Sequence, residues 1–114
     1  MQIQGLTTVL PVDDVQAAAK TWAALLGAEP TFVDGDRWAQ FDVAGRRLAL
    51  AGTDRMSDAA GVMIKVDDLE AARTAVVGLG LTAGEIRTGP HERRFQVLTP
   101  GGWPAVYYAP HPPS

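Results

Sequence analysis

The feature that most constrains this chain is that much of it is written twice. Leu10-Pro11-Val12-Asp13-Asp14-Val15-Gln16-Ala17-Ala18 returns as Ile64-Lys65-Val66-Asp67-Asp68-Leu69-Glu70-Ala71-Ala72, at an offset of 54 residues. The offset persists downstream at Leu25/Leu79, Gly35/Gly89, Phe41/Phe95 and Val43/Val97. An internal repeat of this length implies two similar units. In a chain of 114 residues they have to share one small domain. The expectation is a single domain over 1–114, made of repeat modules 1–52 and 61–110.

Each copy reads as one strand, one helix and three strands. Residues 3–12 are rich in Ile, Leu, Thr and Val, as a strand should be. Asp13 or Asp14 then offers a carboxylate to the free amides of a helix N-terminus. Val15, Ala19, Trp22, Leu25 and Leu26 recur at helical spacing, Gly27 supplies a stop and Pro30 prevents resumption. In the second copy Asp67 or Asp68 caps, Leu69, Ala72, Val76 and Leu79 form the stripe, and Gly80 ends it.

The period then changes to two. In the first copy Thr31-Phe32-Val33, Trp38 to Val43 and Arg46 to Ala51 read as strands, joined by turns at Asp34-Gly35 and Ala44-Gly45. The second runs through Glu85-Ile86-Arg87, a turn at Gly89-Pro90, Arg93 to Leu98, the turn Thr99-Pro100-Gly101-Gly102, and Trp103 to Ala109. Residues 52–60 read as the linker, and His111-Pro112-Pro113-Ser114 as a loose tail. The fold class expected is α+β, built from duplicated βαβββ modules.

Composition narrows the functions such a fold can carry. The absence of cysteine removes disulfide scaffolds, thiolate zinc sites and cysteine nucleophiles. A net charge of −3 argues against nucleic-acid binding, which needs a basic face. No apolar run approaches the length of a membrane span. Met1 leads into Gln2-Ile3-Gln4-Gly5 without a basic or apolar leader, so a cytoplasmic location is expected. No glycine-rich nucleotide loop appears, and the hydroxyl side chains lack a paired base.

A duplicated βαβββ unit whose helices open on V-x-D-hydrophobic-x-x-A resembles the vicinal oxygen chelate superfamily. That superfamily includes glyoxalase I, bleomycin resistance proteins, extradiol dioxygenases and methylmalonyl-CoA epimerase. The matching stretches are 7–27, 38–50, 62–79 and 93–107. Residues 93–102, RRFQVLTPGG, resemble the family's R-x-F-x-hydrophobic-x-D-P-x-G close, with Thr99 where aspartate is usual. The resemblance implies a glyoxalase/bleomycin-resistance-like cupped sheet, often completed by dimerisation. In metal-dependent members the ligands come from the first and last strands of each module. Those positions fall here on Thr7, Ala49, Gly61 and Val106, and a shift of one residue gives Thr8, Leu48, Val62 and Tyr107. Neither set can ligate a divalent cation as histidine or glutamate would. No metal or other cofactor is expected.

Strand parity then assigns the lining of the cup. A two-residue turn at Ala44-Gly45 pairs Trp38 with Ala51, Gln40 with Ala49 and Asp42 with Arg47. These share one face with Thr7 and Val9, while Ala39, Phe41 and Val43 turn toward the helix. The same parity sends Met63, Arg94, Gln96, Val106 and Tyr108 to the cup. The candidate ligand-binding residues are therefore Trp38, Gln40, Asp42, Arg47, Met63, Arg94, Gln96 and Tyr108. Such a set suits a planar organic ligand held by stacking and oriented by polar groups.

Simpler readings exist for several of these. Asp42 and Arg47 can be a cross-strand ion pair, Trp38 and Tyr108 part of a dimer interface, and the four paired aspartates helix caps. His91-Glu92 offers a possible acid–base pair, against the plainer reading of a solvated loop.

The expected function is metal-independent binding or sequestration of an aromatic or peptide-like small molecule, of the bleomycin-resistance type, by a homodimer. Catalysis is not assigned. The alternative is a metal-independent isomerase, cyclase or lyase using His91, Glu92, Asp42, Arg47 and Tyr108. A module serving only as a structural partner would bind no small molecule at all.

Overall fold

A computed structural model describes residues 1–111; the expected loose tail at 112–114 lies outside the described residues. In chain order the elements are β1 (Ile3–Pro11), α1 (Val15–Leu26), β2 (Phe32–Asp34), β3 (Trp38–Val43), β4 (Arg46–Ala51), β5 (Gly61–Val66), α2 (Leu69–Gly78), β6 (Thr82–Ala83), β7 (Arg87–Thr88), β8 (Glu92–Leu98) and β9 (Pro104–Pro110). The fold class is α+β, as the repeat implied. The chain divides into two units, Thr7–Ala60 and residues 1–6 together with 61 onward. β1 is shared, its first half belonging to the later unit.

In the first unit the strand order is β2-β3-β4-β1, with β4 antiparallel to β3 and parallel to β1. The register is set by Ala44-Gly45, where both residues have positive φ (51° and 75°). That is the backbone of a primed two-residue hairpin turn, whose twist matches the strands. It pairs Val43 with Arg46 and so Phe41 with Leu48 and Ala39 with Leu50. Those residues meet Val15, Ala19, Trp22 and Leu26 of α1, and Phe41 is fully buried. The helix begins where the Asp14 carboxylate accepts the Ala17 amide at 3.0 Å and stops at Gly27 in the left-handed region. Leu25 departs from the expected stripe: it is 68% exposed, because it sits about 80° around the helix from Val15.

Gly52 ends β4 where no side chain fits. A Cβ there would lie 2.0 Å from the Asp36 carbonyl oxygen and 2.5 Å from Val15. The linker beyond it folds around Arg55, which donates to the Val12 carbonyl at 3.1 Å and pairs with Asp58 at 3.1 Å and Asp13 at 3.6 Å. Asp13 is therefore an ion-pair partner and Asp14 the cap.

The second unit repeats the plan with a parallel β5–β9 pair and an antiparallel β8–β9 pair. Phe95 is fully buried against α2 and stacks on Tyr107 with ring centroids 5.2 Å apart. Asp68 caps α2 by accepting the Ala71 amide at 3.0 Å. Asp67 has the other task of tying down the N-terminus. Its carboxylate accepts the Gln2 amide at 2.6 Å, and its own amide donates back to the Gln2 carbonyl. Leu79, expected on the buried stripe, lies past the helix as its C-cap and is 75% exposed.

The strand expected at Glu85-Ile86-Arg87 is instead two short pieces, β6 and β7, both beside β8. Between them the Gly84 amide still reaches the Gln96 carbonyl at 2.8 Å, while the Ala83 and Gly84 carbonyls turn to Arg73 of α2 at 3.2 and 2.8 Å. Ile86 drops into the core. Arg73 thus replaces a strand partner, and the ladder breaks.

Candidate functional site

Each unit has one sheet face covered by its helix and one that the helix does not cover. In the first unit the uncovered face is built from three cross-strand rows. Asp34, Trp38, Ala51 and Pro11 form one, and Phe32, Gln40, Ala49 and Val9 the next. Asp42, Arg47 and Thr7 form the third. This is the facing that strand parity required of Trp38, Gln40, Asp42 and Arg47. Trp38 and Gln40 are half-buried, Ala49 and Ala51 fully buried, and Thr7 is a buried polar residue.

The polar groups of this face are tied together. The Arg47 Nε donates to the Asp42 carboxylate at 3.0 Å, and the Gln40 amide lies 3.4 Å from its other oxygen. The Asp42 backbone amide donates to the Thr31 hydroxyl at 3.1 Å. The Arg47 hydrogen bond, and then that of Thr31, hold the Asp42 carboxyl below its ordinary range. Asp42 is therefore an ionised acceptor near neutral pH, poorly suited to give or take a proton.

In the second unit the uncovered face carries Met63, Val106 and Gln96 in one row and Lys65, Tyr108, Arg94 and Arg87 in the next. Met63 and Val106 are buried, Gln96, Arg94 and Tyr108 half-buried. Glu92, two residues before Arg94, faces the same way and lies 4.0 Å from it. Lys65 and Arg87 were not among the sequence candidates. Counting by twos from Met63 would have found Lys65, whereas Arg87 emerges only once the β7–β8 register is known.

Strand parity separates the two arginines of β8. Arg94 takes the uncovered face, and Arg93 turns to the helix side to pair with Glu70 of α2. That pairing holds the Glu70 carboxyl below its ordinary range.

His91 is exposed in the turn before β8, while Glu92 is the strand's first residue. His111 closes the same end, with its ring Nε2 2.6 Å from the Gly89 carbonyl oxygen. Thr99 stands in the closing motif where aspartate was expected. Its hydroxyl donates to the Trp103 carbonyl, and its carbonyl accepts the Gly102 amide at 3.1 Å, so the turn closes without a carboxylate. Trp103 itself is 65% exposed.

The four positions onto which the resemblance places metal ligands offer one hydroxyl (Thr7), two aliphatic side chains (Ala49 and Val106) and a glycine. At Gly61 even a Cβ would meet the Pro104 carbonyl oxygen at 2.6 Å. This donor set does not fit a divalent cation. Among the described residues no group of three or more His, Cys, Asp and Glu side chains could hold a metal ion.

No protein-family model and no curated protein matches the chain. Solved structures do. A glyoxalase/bleomycin resistance protein/dioxygenase superfamily member from Vibrio splendidus 12B01 is similar at a TM-score of 0.71 and 15% identity, over 95% of this chain and 99% of its own. Methylmalonyl-CoA epimerase from Mycobacterium tuberculosis is similar at 0.68 and 19%, over 96% and 90%. A Legionella pneumophila structure described as an NAD-dependent benzaldehyde dehydrogenase is similar at 0.85 and 12%, over 93% and 99%. The chain has the vicinal oxygen chelate fold. Identities this low speak for the fold alone.

Proposed function

We propose that this protein binds a planar organic small molecule, such as an antibiotic or another natural product, without a divalent metal, on sheet faces its helices leave uncovered. The observation that carries the reading is the face of β3 and β4. There a half-buried Trp38 shares one side of the sheet with Gln40 and the Asp42–Arg47 pair. An aromatic ring beside oriented polar groups is what stacking recognition uses. The poor donor set at the metal positions favours binding over the metal-assisted reactions associated with this fold. A two-fold homodimer, the commonest assembly of such chains, belongs to the same proposal. Sedimentation at micromolar concentration tests it, and a monomer contradicts it.

The enzymatic alternative, a metal-independent isomerase, cyclase or lyase, would need an acid–base pair. Asp42 is weakened for that role by its hydrogen bonds to Arg47 and Thr31. Glu92, beside Arg94 and next to His91 in sequence, is the group that alternative would have to use.

Fluorescence titration against a panel of planar aromatic antibiotics and metabolites tests the reading. Trp22→Phe with Trp103→Phe leaves Trp38 as the only tryptophan, and saturable quenching is expected to survive in that variant and to vanish in Trp38→Phe. Quenching that follows Trp22 instead would place the ligand elsewhere and overturn the proposal.

A further inference from the structure

The sheet of each unit ends in an outer strand, and the two ends differ. In the second unit β6 and β7 are two residues each, and between them the Arg73 guanidinium takes the Ala83 and Gly84 carbonyls at 3.2 and 2.8 Å. That edge offers no run of open backbone groups to a further strand. In the first unit the outer strand is β2, paired with β3 on one side only. Its three residues, Phe32, Val33 and Asp34, are all exposed. Alternate residues of such a strand turn their amide and carbonyl away from the sheet. Open edges are ordinarily blunted by lysine, proline, a bulge or a covering element. β2 has only its brevity and Asp34 at its end, and it carries two large apolar side chains, Phe32 and Val33, exposed at 53% and 38%.

On the helix side Val33 opens into a groove of about 430 Å³ against α1, lined also by Ala23, Ala24, Pro30, Lys20 and Glu29. Lys20 and Glu29 are exposed, and among the described residues neither side chain has an ion-pair or hydrogen-bond partner. The strip beside β2 thus presents one cation and one carboxylate, both unmatched. A patch that meets its own copy across a two-fold axis has to be self-complementary, and one charge of each sign satisfies that requirement. A strip of a single sign would repel its copy.

We infer that β2 is the edge on which a second copy of this chain docks, antiparallel about a two-fold axis near Val33, with Lys20 of each copy meeting Glu29 of the other. The inference rests on the homodimer of the reading above and adds the surface through which it forms. Phe32 lies on the uncovered face in one row with Gln40, so the joined edges also carry the Trp38 face across the axis from one copy to the other.

The test has two arms, both on the full chain. The sequence holds no cysteine, so Val33→Cys places a single thiol in it. Directly opposed residues of antiparallel strands lie about 4.5–5.5 Å apart between Cα atoms, within reach of a disulfide. Mild oxidation at micromolar concentration should therefore link Val33→Cys into dimers at least about tenfold faster than Leu25→Cys. Leu25 is the more exposed of the two positions but sits about 140° around α1 from Lys20. In the second arm, sedimentation should show Lys20→Glu and Glu29→Lys each weakening the dimer by roughly fivefold or more, because each reversal sets like charges together twice. An equimolar mixture of the two variants should restore it, since each then supplies the sign the other lacks. Both effects should shrink as salt rises from ~20 to ~200 mM. Lys20 and Glu29 are exposed, so these variants should fold even if Val33→Cys does not.

A dimer indifferent to both charge reversals, or one that the mixture fails to restore, overturns the inference and leaves the homodimer standing on another surface. Equal linking of folded Val33→Cys and Leu25→Cys does the same. A wild-type chain that stays monomeric at micromolar concentration overturns both.

Discussion

The two units share a plan, yet their uncovered faces carry different side chains. In the first, charge is internally matched: Arg47 is bound to Asp42, Gln40 and Thr31 complete the group, and Trp38 supplies an aromatic surface. In the second, the equivalent face concentrates Lys65, Arg94 and Arg87 on one row beside Tyr108. The helix sides, by contrast, have stayed alike. Phe41 and Phe95 occupy matched positions, both fully buried, under helices capped by the matched Asp14 and Asp68. A core position is constrained by packing density, so a change there is costly in either unit. The exposed and half-buried residues of an uncovered face, such as Trp38 and Arg94, carry less of that penalty than the buried Ala49 or Val106.

The largest expected effects test whether the cores are equivalent. Phe41→Ala and Phe95→Ala should each cost about 3–5 kcal/mol in denaturant unfolding. Phe95→Ala should lie at the upper end, because it also loses its stack on Tyr107. Equal losses would show that the stack adds nothing.

Gly52→Ala should cost about 3 kcal/mol, since the new Cβ collides with the Asp36 backbone and Val15. The Val9–Ala49 and Met63–Val106 pairs make Ala49 and Val106 equivalent, so Gly52 corresponds to Ala109, which carries a Cβ, and this close approach is peculiar to the first unit. A smaller loss would show that the linker can move aside.

The caps sharpen the likeness: Asp14→Ala and Asp68→Ala should each cost about 1 kcal/mol. Asp13→Ala should cost less than Asp14→Ala, because its exposed partner is Arg55.

Acid should weaken both units, with the smallest expected effects. Asp67 and Glu70 are held below their ordinary ranges, Asp67 first by the Gln2 amide and Glu70 first by Arg93; in the first unit Asp42 is held low chiefly by Arg47. A carboxyl whose folded pKa is depressed contributes stability that is complete above its unfolded value and lost as pH falls through the folded one. Amide protection factors around Gln2, the start of α2 and the β3–β4 hairpin should therefore all fall as pH drops below about 4. Protection that is unchanged at any of the three would show that its carboxyl contributes nothing there.

How much of this was legible differs by unit for physical reasons. The β3–β4 register followed from the two-residue turn, because a short turn leaves one way to pair the strands. The facing of Trp38, Gln40, Asp42 and Arg47 came with it. In the second unit the alternation at Glu85-Ile86-Arg87 looked like a strand, but the Arg73 guanidinium takes the Ala83 and Gly84 carbonyls. A tertiary contact from α2 carries no mark in that local pattern. Arg87 reached its row only through a register that the broken strand hid.

Leu25 and Leu79 teach a related point. They match across the repeat and both lie exposed, so identity at the repeat offset does not by itself indicate burial. The four paired aspartates looked equivalent in sequence, yet two cap helices while Asp13 meets Arg55 and Asp67 holds Gln2.

The contrast between the faces is tested most directly by mapping where a neutral planar aromatic probe, 2-naphthamide, binds. Amide shifts should concentrate on β3 and β4 around Trp38 to Asp42. Shifts confined to the strands of the second unit, or to α1 and α2, would contradict the account.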